Sequence, residues 1–163
     1  MGAIGLNGAA SDVADPTDRA RVASAGWGRW APFNAAAIGA HLIGGAGLLL
    51  ANRRRVVAQS GAGSNSAIKT ILTGAALGTT AYSGYLGTKV GGAGRVPAQG
   101  GTEPSDATPE PAASAQQQLK ALQWATPALT AAIIVLAAQQ GEQQKPSQLA
   151  KGLARKAREK VTG

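Results

Sequence analysis

The sequence contains no cysteine and only one histidine, His41. The absence of thiols excludes disulfides, thiolate nucleophiles, iron–sulfur ligation and cysteine zinc sites. A lone imidazole supplies no metal-ligand cluster, and neither a Ser–His–Asp pattern nor a pair of buried carboxylates is present. We therefore expect a non-enzyme without a metal or cofactor. Haem is disfavoured because no second histidine completes a two-histidine site.

Charged residues are also scarce. They make up 15% of the 163 residues, against about 25% in soluble domains. The mean hydropathy of −0.04 resembles that of a soluble protein, but the apolar residues are concentrated in three windows separated by Gly-rich and polar sequence. A soluble core would be thin, so the composition favours either a membrane helix bundle or partial disorder.

The longest of these windows runs from Trp30 to Asn52 and holds no Asp, Glu, Lys or Arg. It ends at three consecutive arginines, Arg53, Arg54 and Arg55. Twenty helical residues span about 30 Å, the thickness of a hydrocarbon core. The pattern therefore predicts a transmembrane helix over about residues 32–51, with Pro32 in its first turn.

Two further windows predict spans over about residues 68–88 and 121–140. The second window is weak because glycines and threonines interrupt it, although small residues allow helices to approach closely in a bilayer. The third contains the apolar run Ala131–Ala138. The predicted fold is an all-α integral membrane protein with three transmembrane helices and a basic amphipathic C-terminal helix.

Composition also divides the chain into segments. We expect a flexible N-terminal segment over residues 1–26, a three-helix membrane domain over 27–142, and a basic cytoplasmic tail over 143–163. Within the membrane domain, residues 91–118 are rich in Pro, Gly, Ser and Gln. Such a segment predicts a flexible loop that buries no core.

Charge distribution predicts the orientation. With the N-terminus outside, ten of the 16 Lys and Arg residues fall on inner segments, including Arg53, Arg54 and Arg55, and six on outer segments. This bias favours a cytoplasmic C-terminus. Trp27, Trp30 and Trp124 then fall at the outer interface, where aromatic side chains concentrate. The Ala-, Gly- and Arg-rich composition indicates a GC-rich bacterial genome and hence a plasma membrane.

His41 lies near the middle of the first predicted span. An ionisable group at this depth is costly and suggests ion passage, proton transfer or ligation. The simpler alternative is a neutral imidazole hydrogen-bonded to a Thr, a Ser or a backbone carbonyl of a neighbouring helix. No Asp or Glu lies inside a predicted span to complete a proton relay.

Small residues recur every four positions in two of the spans, which places them on one helix face. They are Ala36, Ala40 and Gly44 in the first span, and Gly74 and Gly78 in the second. Such faces pack closely against other helices. They could dock against each other or against another subunit.

The C-terminal tail has apolar residues at helical spacing among basic residues. The basic residues are Lys151, Arg155, Lys156, Arg158 and Lys160. A basic amphipathic helix beside a membrane predicts contact with anionic lipid head groups or with a partner. A solvated, frayed tail is the alternative, and nucleic-acid binding would need more apolar or aromatic contact than the tail offers.

Three functional hypotheses follow. The first is a non-catalytic accessory or assembly subunit of a larger membrane complex, joined to other subunits or to itself through the small-residue faces. The second is a small oligomeric transporter or redox carrier that uses His41. The third is a partly disordered basic protein that binds nucleic acid.

Overall fold

The computed structural model describes residues 2–51, 53 and 62–143, and it is helical. A π-helical turn, Gly2–Leu6, leads into a short helix α1, Asn7–Ser11. Three long helices follow: α2, Pro16–Ala51, α3, Ala62–Gly92, and α4, Glu110–Gln143. Over these described residues there is no strand, only an isolated bridge between Ala98 and Pro104. The predicted all-helical class is confirmed.

Helix α2 begins well before the predicted start at residue 32. Asp15 caps it: the Thr17 backbone N–H donates to Asp15 Oδ1 at 2.9 Å, and the Thr17 hydroxyl donates to the same oxygen at 2.7 Å. Pro16 suits the first helical position, and Asp18 places negative charge in the first turn. Pro32 therefore lies inside the helix, not in its first turn.

Each predicted span lies within a longer helix, but among the described residues only two helices meet the length and hydropathy requirements of a membrane span. Helices α2 and α4 are long and apolar enough to cross a bilayer, and none of either apolar window is buried inside the protein. Helix α3 is long enough, with 31 residues, but its glycines and threonines dilute its apolar character. The number of spans remains a prediction.

Every buried residue in the described chain lies at one end of the three long helices. This region, called the cap below, comprises residues 2–27 and 86–123. Its apolar centre is formed by Ala20, Leu86, Val90, Ala98 and Ala115, with Leu119 and Leu122 packed against it. Because three of the five central side chains are alanine methyl groups, the helices and the loop between α3 and α4 approach closely.

The α3–α4 loop differs from its prediction, because it is part of this core. The Ala98 N–H donates to Pro16 O at 3.1 Å, and the Gln99 N–H donates to Glu103 O at 2.8 Å. Helix α4 then begins at Glu110, within the predicted loop. Residues 91–118 lack large apolar side chains, but small ones suffice here because Ala98 and Ala115 pack against helices already in place.

The predicted flexible segment 1–26 likewise contributes buried residues. Asn7, Ala10, Ala20 and Ala23 are each less than 5% exposed. The segment folds back so that α1 and the first turns of α2 enclose the α3–α4 loop. Composition alone does not reveal this arrangement, since the burial depends on residues about 80 positions later in the chain.

Gly101 of the loop packs closely against the N-terminal segment. A β-carbon at this position would lie 2.8 Å from Ala23 Cβ and 3.0 Å from Asn7 Oδ1. Gly101→Ala should therefore destabilise the cap by about 1–3 kcal/mol, the usual cost of overpacking. Thermal unfolding in detergent, followed by tryptophan fluorescence, measures the change.

Gly28→Ala is the matched control, because a β-carbon there meets nothing within 4 Å. Alanine in a helix interior is favoured over glycine by up to about 1 kcal/mol. Equal melting temperatures for the two variants would contradict the packing described for the loop.

Candidate functional site: a polar cap and an aromatic belt

Buried amide side chains join the N-terminal segment to helices α2 and α4. Asn7, which is 4% exposed, donates from Nδ2 to Gln123 Oε1 at 3.0 Å and accepts from Trp27 Nε1 at 2.9 Å. Both polar ends of the Asn7 amide are thereby used. This bridge sets Trp27 and Gln123 at the same level of the molecule.

A second amide, Gln116, holds the loop. Its side chain is fully buried, and Nε2 donates to Gly100 O at 3.1 Å and to Gly101 O at 3.3 Å. Two carbonyl acceptors require the NH₂ end of the amide, so the orientation of the side chain is determined. Gln116 Oε1 has no donor among the described residues, and an unsatisfied buried acceptor costs about 1–3 kcal/mol.

A cluster of charged side chains closes the outer surface of the cap. Arg95 of the loop pairs with Asp15 at 2.8 Å and with Asp18 at 3.2 Å, and Arg21 pairs with Asp18 at 3.0 Å. These pairs are largely exposed, so each contributes little to stability. Their arrangement nevertheless links the start of α2 to the loop.

Hydrogen bonds from Thr17, aided by the charge of Arg95, hold the pKa of Asp15 below its ordinary value. The hydrogen bond and charge of Asp18 raise the pKa of Arg21. Both shifts favour the charged forms that the cluster contains. The cluster is therefore intact at neutral pH.

All six aromatic residues of the chain lie near the base of the cap. They are Trp27, Trp30, Phe33, Tyr82, Tyr85 and Trp124, and each is at least 40% exposed. The Trp30 and Phe33 ring centroids are 5.9 Å apart, those of Tyr82 and Tyr85 are 6.2 Å apart, and Lys89 Nζ lies 4.8 Å from the Tyr85 centroid. We call this set the aromatic belt.

Helix contacts place these aromatic residues at one level. Ser24 of α2 is next to Gly91 of α3, where an added β-carbon would lie 3.7 Å from Ser24 Cβ. Trp30 lies six residues after Ser24 and Tyr85 six residues before Gly91, so each is about 9 Å along its helix from this contact. Trp124 of α4 joins them, because neighbouring Gln123 is bridged to Trp27.

Below the belt the three helices differ in their packing. Helices α3 and α4 stay together, and the hydroxyl groups of Thr79 and Thr126 lie 3.2 Å apart. Helix α2 contacts α3 near the cap, but most of residues 31–51 are exposed. Large apolar side chains there include Ile43 at 77% and Leu50 at 68% exposure.

The sequence-predicted site residues do not converge on one site. The His41 side chain is exposed and makes no hydrogen bond within the described part of the chain. The expected partner on a neighbouring helix is therefore not found in this arrangement. Across residues 2–51, 53 and 62–143, no group of three or more His, Cys, Asp or Glu could hold a metal ion.

Neither small-residue face docks against the other. Ala36, Ala40 and Gly44 are exposed, as are Gly74 and Gly78. A β-carbon added at any of these three glycines meets nothing within 4 Å. Both faces are therefore available to other helices.

The predicted inner basic groups lie mostly beyond the described residues. Arg53 is exposed, whereas Arg54, Arg55 and the tail with Lys151, Arg155, Lys156, Arg158 and Lys160 fall outside the described ranges. Their predicted contacts with lipid or a partner stay predictions.

The residues that organise the cap were not singled out from the sequence. One local signal was present: the run Asp15, Pro16, Thr17, Asp18 is a strong helix start. Gln116 and Gln123, seven residues apart, share one face of α4. Their partners Gly100, Gly101 and Asn7 are too distant in sequence to have been predicted.

Comparisons with protein-family models, with curated proteins and with solved structures gave no match.

Acid should loosen the charged cluster. Because the folded-state pKa of Asp15 is lowered, its contribution is fully present above the unfolded value of about 3.9. It is lost as the pH falls through the lower folded value. The protection of the Ala98 and Gln99 N–H groups against hydrogen exchange, measured relative to the intrinsic exchange rate at the same pH, should therefore fall below about pH 4.

Asp15→Asn keeps a capping side chain but removes the charge, so it should abolish most of this acid dependence. Asp12→Asn is the control, because the Asp12 carboxylate makes no hydrogen bond or ion pair to any described residue. An unchanged acid profile in Asp15→Asn would refute the assignment to this side chain.

Proposed function

We propose that this chain is an integral membrane protein, a non-catalytic accessory or assembly subunit of a larger membrane complex, whose helices carry a folded cap at the outer surface. The observation that carries the proposal is the uncovered state of two long apolar helices directly below the aromatic belt. In water these surfaces would be left exposed, whereas in a bilayer lipid chains cover them.

The extent of the exposed apolar surface supports this environment. The apolar windows of α2 and α4 have no residue buried inside the protein. Soluble monomers rarely expose continuous apolar patches above a few hundred Å². An apolar window of at least 18 residues in each of two helices exceeds what a soluble surface normally contains.

The aromatic belt provides independent support. Trp and Tyr concentrate at the level of lipid head groups because one end of each side chain is apolar and the other polar. Here the belt separates the cap, with its ion pairs and buried amides, from apolar helix surface. Tyr82 combines both properties, because its side chain is partly exposed while its hydroxyl donates to Gln118 Oε1.

The cap also supports three spans, although α3 is only weakly apolar. The start of α2 and the end of α3 are held together through Ser24 and Gly91, and the Ala98 N–H donates to Pro16 O. If α2 crosses the bilayer away from the cap, α3 must cross it again to return. Because α3 pairs with α4, part of the polar surface of α3, including the Thr79 hydroxyl, lies against another helix.

The proposed orientation is N-terminus outside and C-terminus cytoplasmic. In this orientation the cap lies outside, and the three arginines after α2 lie inside, as the positive-inside bias favours. The assignment to a bacterial plasma membrane rests on composition alone.

An accessory role is supported by the open helix faces. A β-carbon added at Gly44, Gly74 or Gly78 meets nothing within 4 Å, so these glycines do not pack closely against any other described part of the chain. In bilayers, small residues mark the surfaces where helices associate. We infer that these faces contact other membrane subunits or a second copy of the chain.

Carbonate extraction of membranes tests the location. An integral protein should remain in the pellet at high pH, because its apolar helices are held by lipid and not by charge. A basic protein bound to nucleic acid or head groups should move into the supernatant. Release of most of the chain would refute the membrane proposal.

Single cysteines test the topology, since the native chain has none. With the cap outside, Asp106→Cys should react with an impermeant maleimide in intact cells, whereas Ser64→Cys should react only after permeabilisation. The reverse pattern would invert the orientation. Reaction of both cysteines in intact cells would place positions 64 and 106 on the same side of the membrane and exclude three spans.

Affinity purification in mild detergent tests the accessory role. We expect a co-purifying membrane protein or a homo-oligomer. Gly78→Leu, which fills one open face, should reduce that association at least five-fold, whereas Gly28→Ala should not. A stable monomer without co-purifying chains would count against the accessory role while leaving the membrane location intact.

A further inference from the structure

The contact between α2 and α3 is close beside the cap and then opens. An added β-carbon at Gly91 would lie 3.7 Å from Ser24 Cβ, but one at Gly87 or Gly84 meets nothing within 4 Å. On α2, Gly45 is equally open. The two helices therefore touch at one end and leave an uncovered cleft below it.

The faces that touch at the cap continue down both helices. Eighteen residues make five helical turns, so Leu42 lies on the same side of α2 as Ser24, and Ile38 on the same side as Ala20. Thr73 lies eighteen residues before Gly91, on the same side of α3. Leu42 and Thr73 are each about 27 Å along their helices from the Ser24–Gly91 contact.

Two polar groups at this depth have no hydrogen-bond partner among residues 2–51, 53 and 62–143. Helix α3 contains Thr70, Thr73, Thr79, Thr80 and Thr88. Four of these hydroxyls donate to carbonyls of their own helix. Thr73 makes no such bond to a described residue. His41, adjacent to Leu42, is likewise without a hydrogen bond in the described chain.

The cleft also begins near a break in the hydrogen-bond ladder of α2. Pro32 lies inside α2, where it removes one backbone hydrogen bond and favours bending. It follows Ser24 by eight residues and precedes Leu42 by ten. A small change of angle at Pro32 would move the lower half of α2 without disturbing the cap.

We propose that the lower half of α2 closes onto α3 by bending at Pro32, so that Ile38, Leu42 and Gly45 pack along the face that includes Leu77 and Thr73. The closed state extends, in the same register, the contact that Ala20 and Ser24 of α2 already make with α3. It brings the His41 imidazole, at the edge of the α2 face, to the level of the free Thr73 hydroxyl.

The driving force of this closure rests on the proposed membrane location. In hydrocarbon an imidazole and a hydroxyl without partners are costly, and helices that can pair them associate. The faces and their register, in contrast, follow from the helices alone. Failure of the membrane proposal and failure of closure are therefore separate results.

Disulfide trapping in native membrane vesicles tests the closure on a background without native thiols. The test pair is Ile38→Cys with Leu77→Cys, whose members each lie 14 residues from Ser24 and Gly91. This pair leaves His41 and Thr73 unchanged. Ser24→Cys with Gly91→Cys is the positive control, because its 3.7 Å β-carbon separation suits a disulfide. Ala40→Cys with Leu77→Cys is the negative control, since Ala40, twenty residues after Ala20, lies on the opposite side of α2.

After mild oxidation, polyethylene-glycol maleimide counts the remaining thiols on each chain. Closure predicts that the test pair loses its thiols within a single chain, at least five-fold faster than the Ala40 pair. Rates equal to the Ala40 pair, in variants whose cap still resists protease, would overturn the proposal. Disulfides formed only between chains would also overturn it, because they would assign the cleft to a second copy. Carbonate extraction of the same vesicles reports separately on the membrane location.

Discussion

The packing of the α3–α4 loop between the N-terminal segment and the long helices is the constraint on which the rest of the structure depends. Gln116 holds the loop carbonyls of Gly100 and Gly101, while Asn7 ties Trp27 to Gln123. These contacts bring the start of α2, the end of α3 and the start of α4 to one place. These contacts fix the direction in which each long helix leaves the cap and the level at which it does so.

Small side chains make this packing feasible. The core consists largely of alanines, which bury little apolar area each and so contribute little hydrophobic free energy. Their advantage is close approach, which allows buried amides to reach backbone carbonyls. The cost of this arrangement is that Gln116 Oε1 has no donor in the part of the chain that the structure describes, because the bonds from Nε2 to the loop carbonyls fix the orientation of the amide.

Sequence patterns predicted the helices well and the cap poorly. The charge-free windows placed apolar stretches within α2, α3 and α4, because helix length and hydropathy are local properties. The ends were missed: α2 begins sixteen residues before position 32, at Pro16, although Asp15 and Asp18 form a recognisable start. A Pro- and Gly-rich composition predicted a loop without a core. It could not reveal that Ala98 and Gly101 fill spaces shaped by residues near position 20.

In the candidate site, too, local features were predicted from the sequence and long-range contacts were not. Tryptophans at 27, 30 and 124 were predicted to lie together from topology, and the structure places all six aromatics at the base of the cap. The unpaired state of His41 could not be predicted, since it depends on the direction in which α2 leaves the cap. Likewise, the outward position of Gly74 and Gly78 depends on which face α3 turns toward α4.

The hydrogen bond between Asn7 and Gln123 joins residues 116 positions apart, and this separation has a consequence for synthesis. At translation rates of about 5–20 residues per second, the N-terminal segment waits roughly 6–25 s before its partner has been made. Throughout that interval Asn7 lacks this partner, and Ala23 lacks its contact with Gly101 until that residue has been made. The cap can therefore be completed only after the start of α4 has been synthesised.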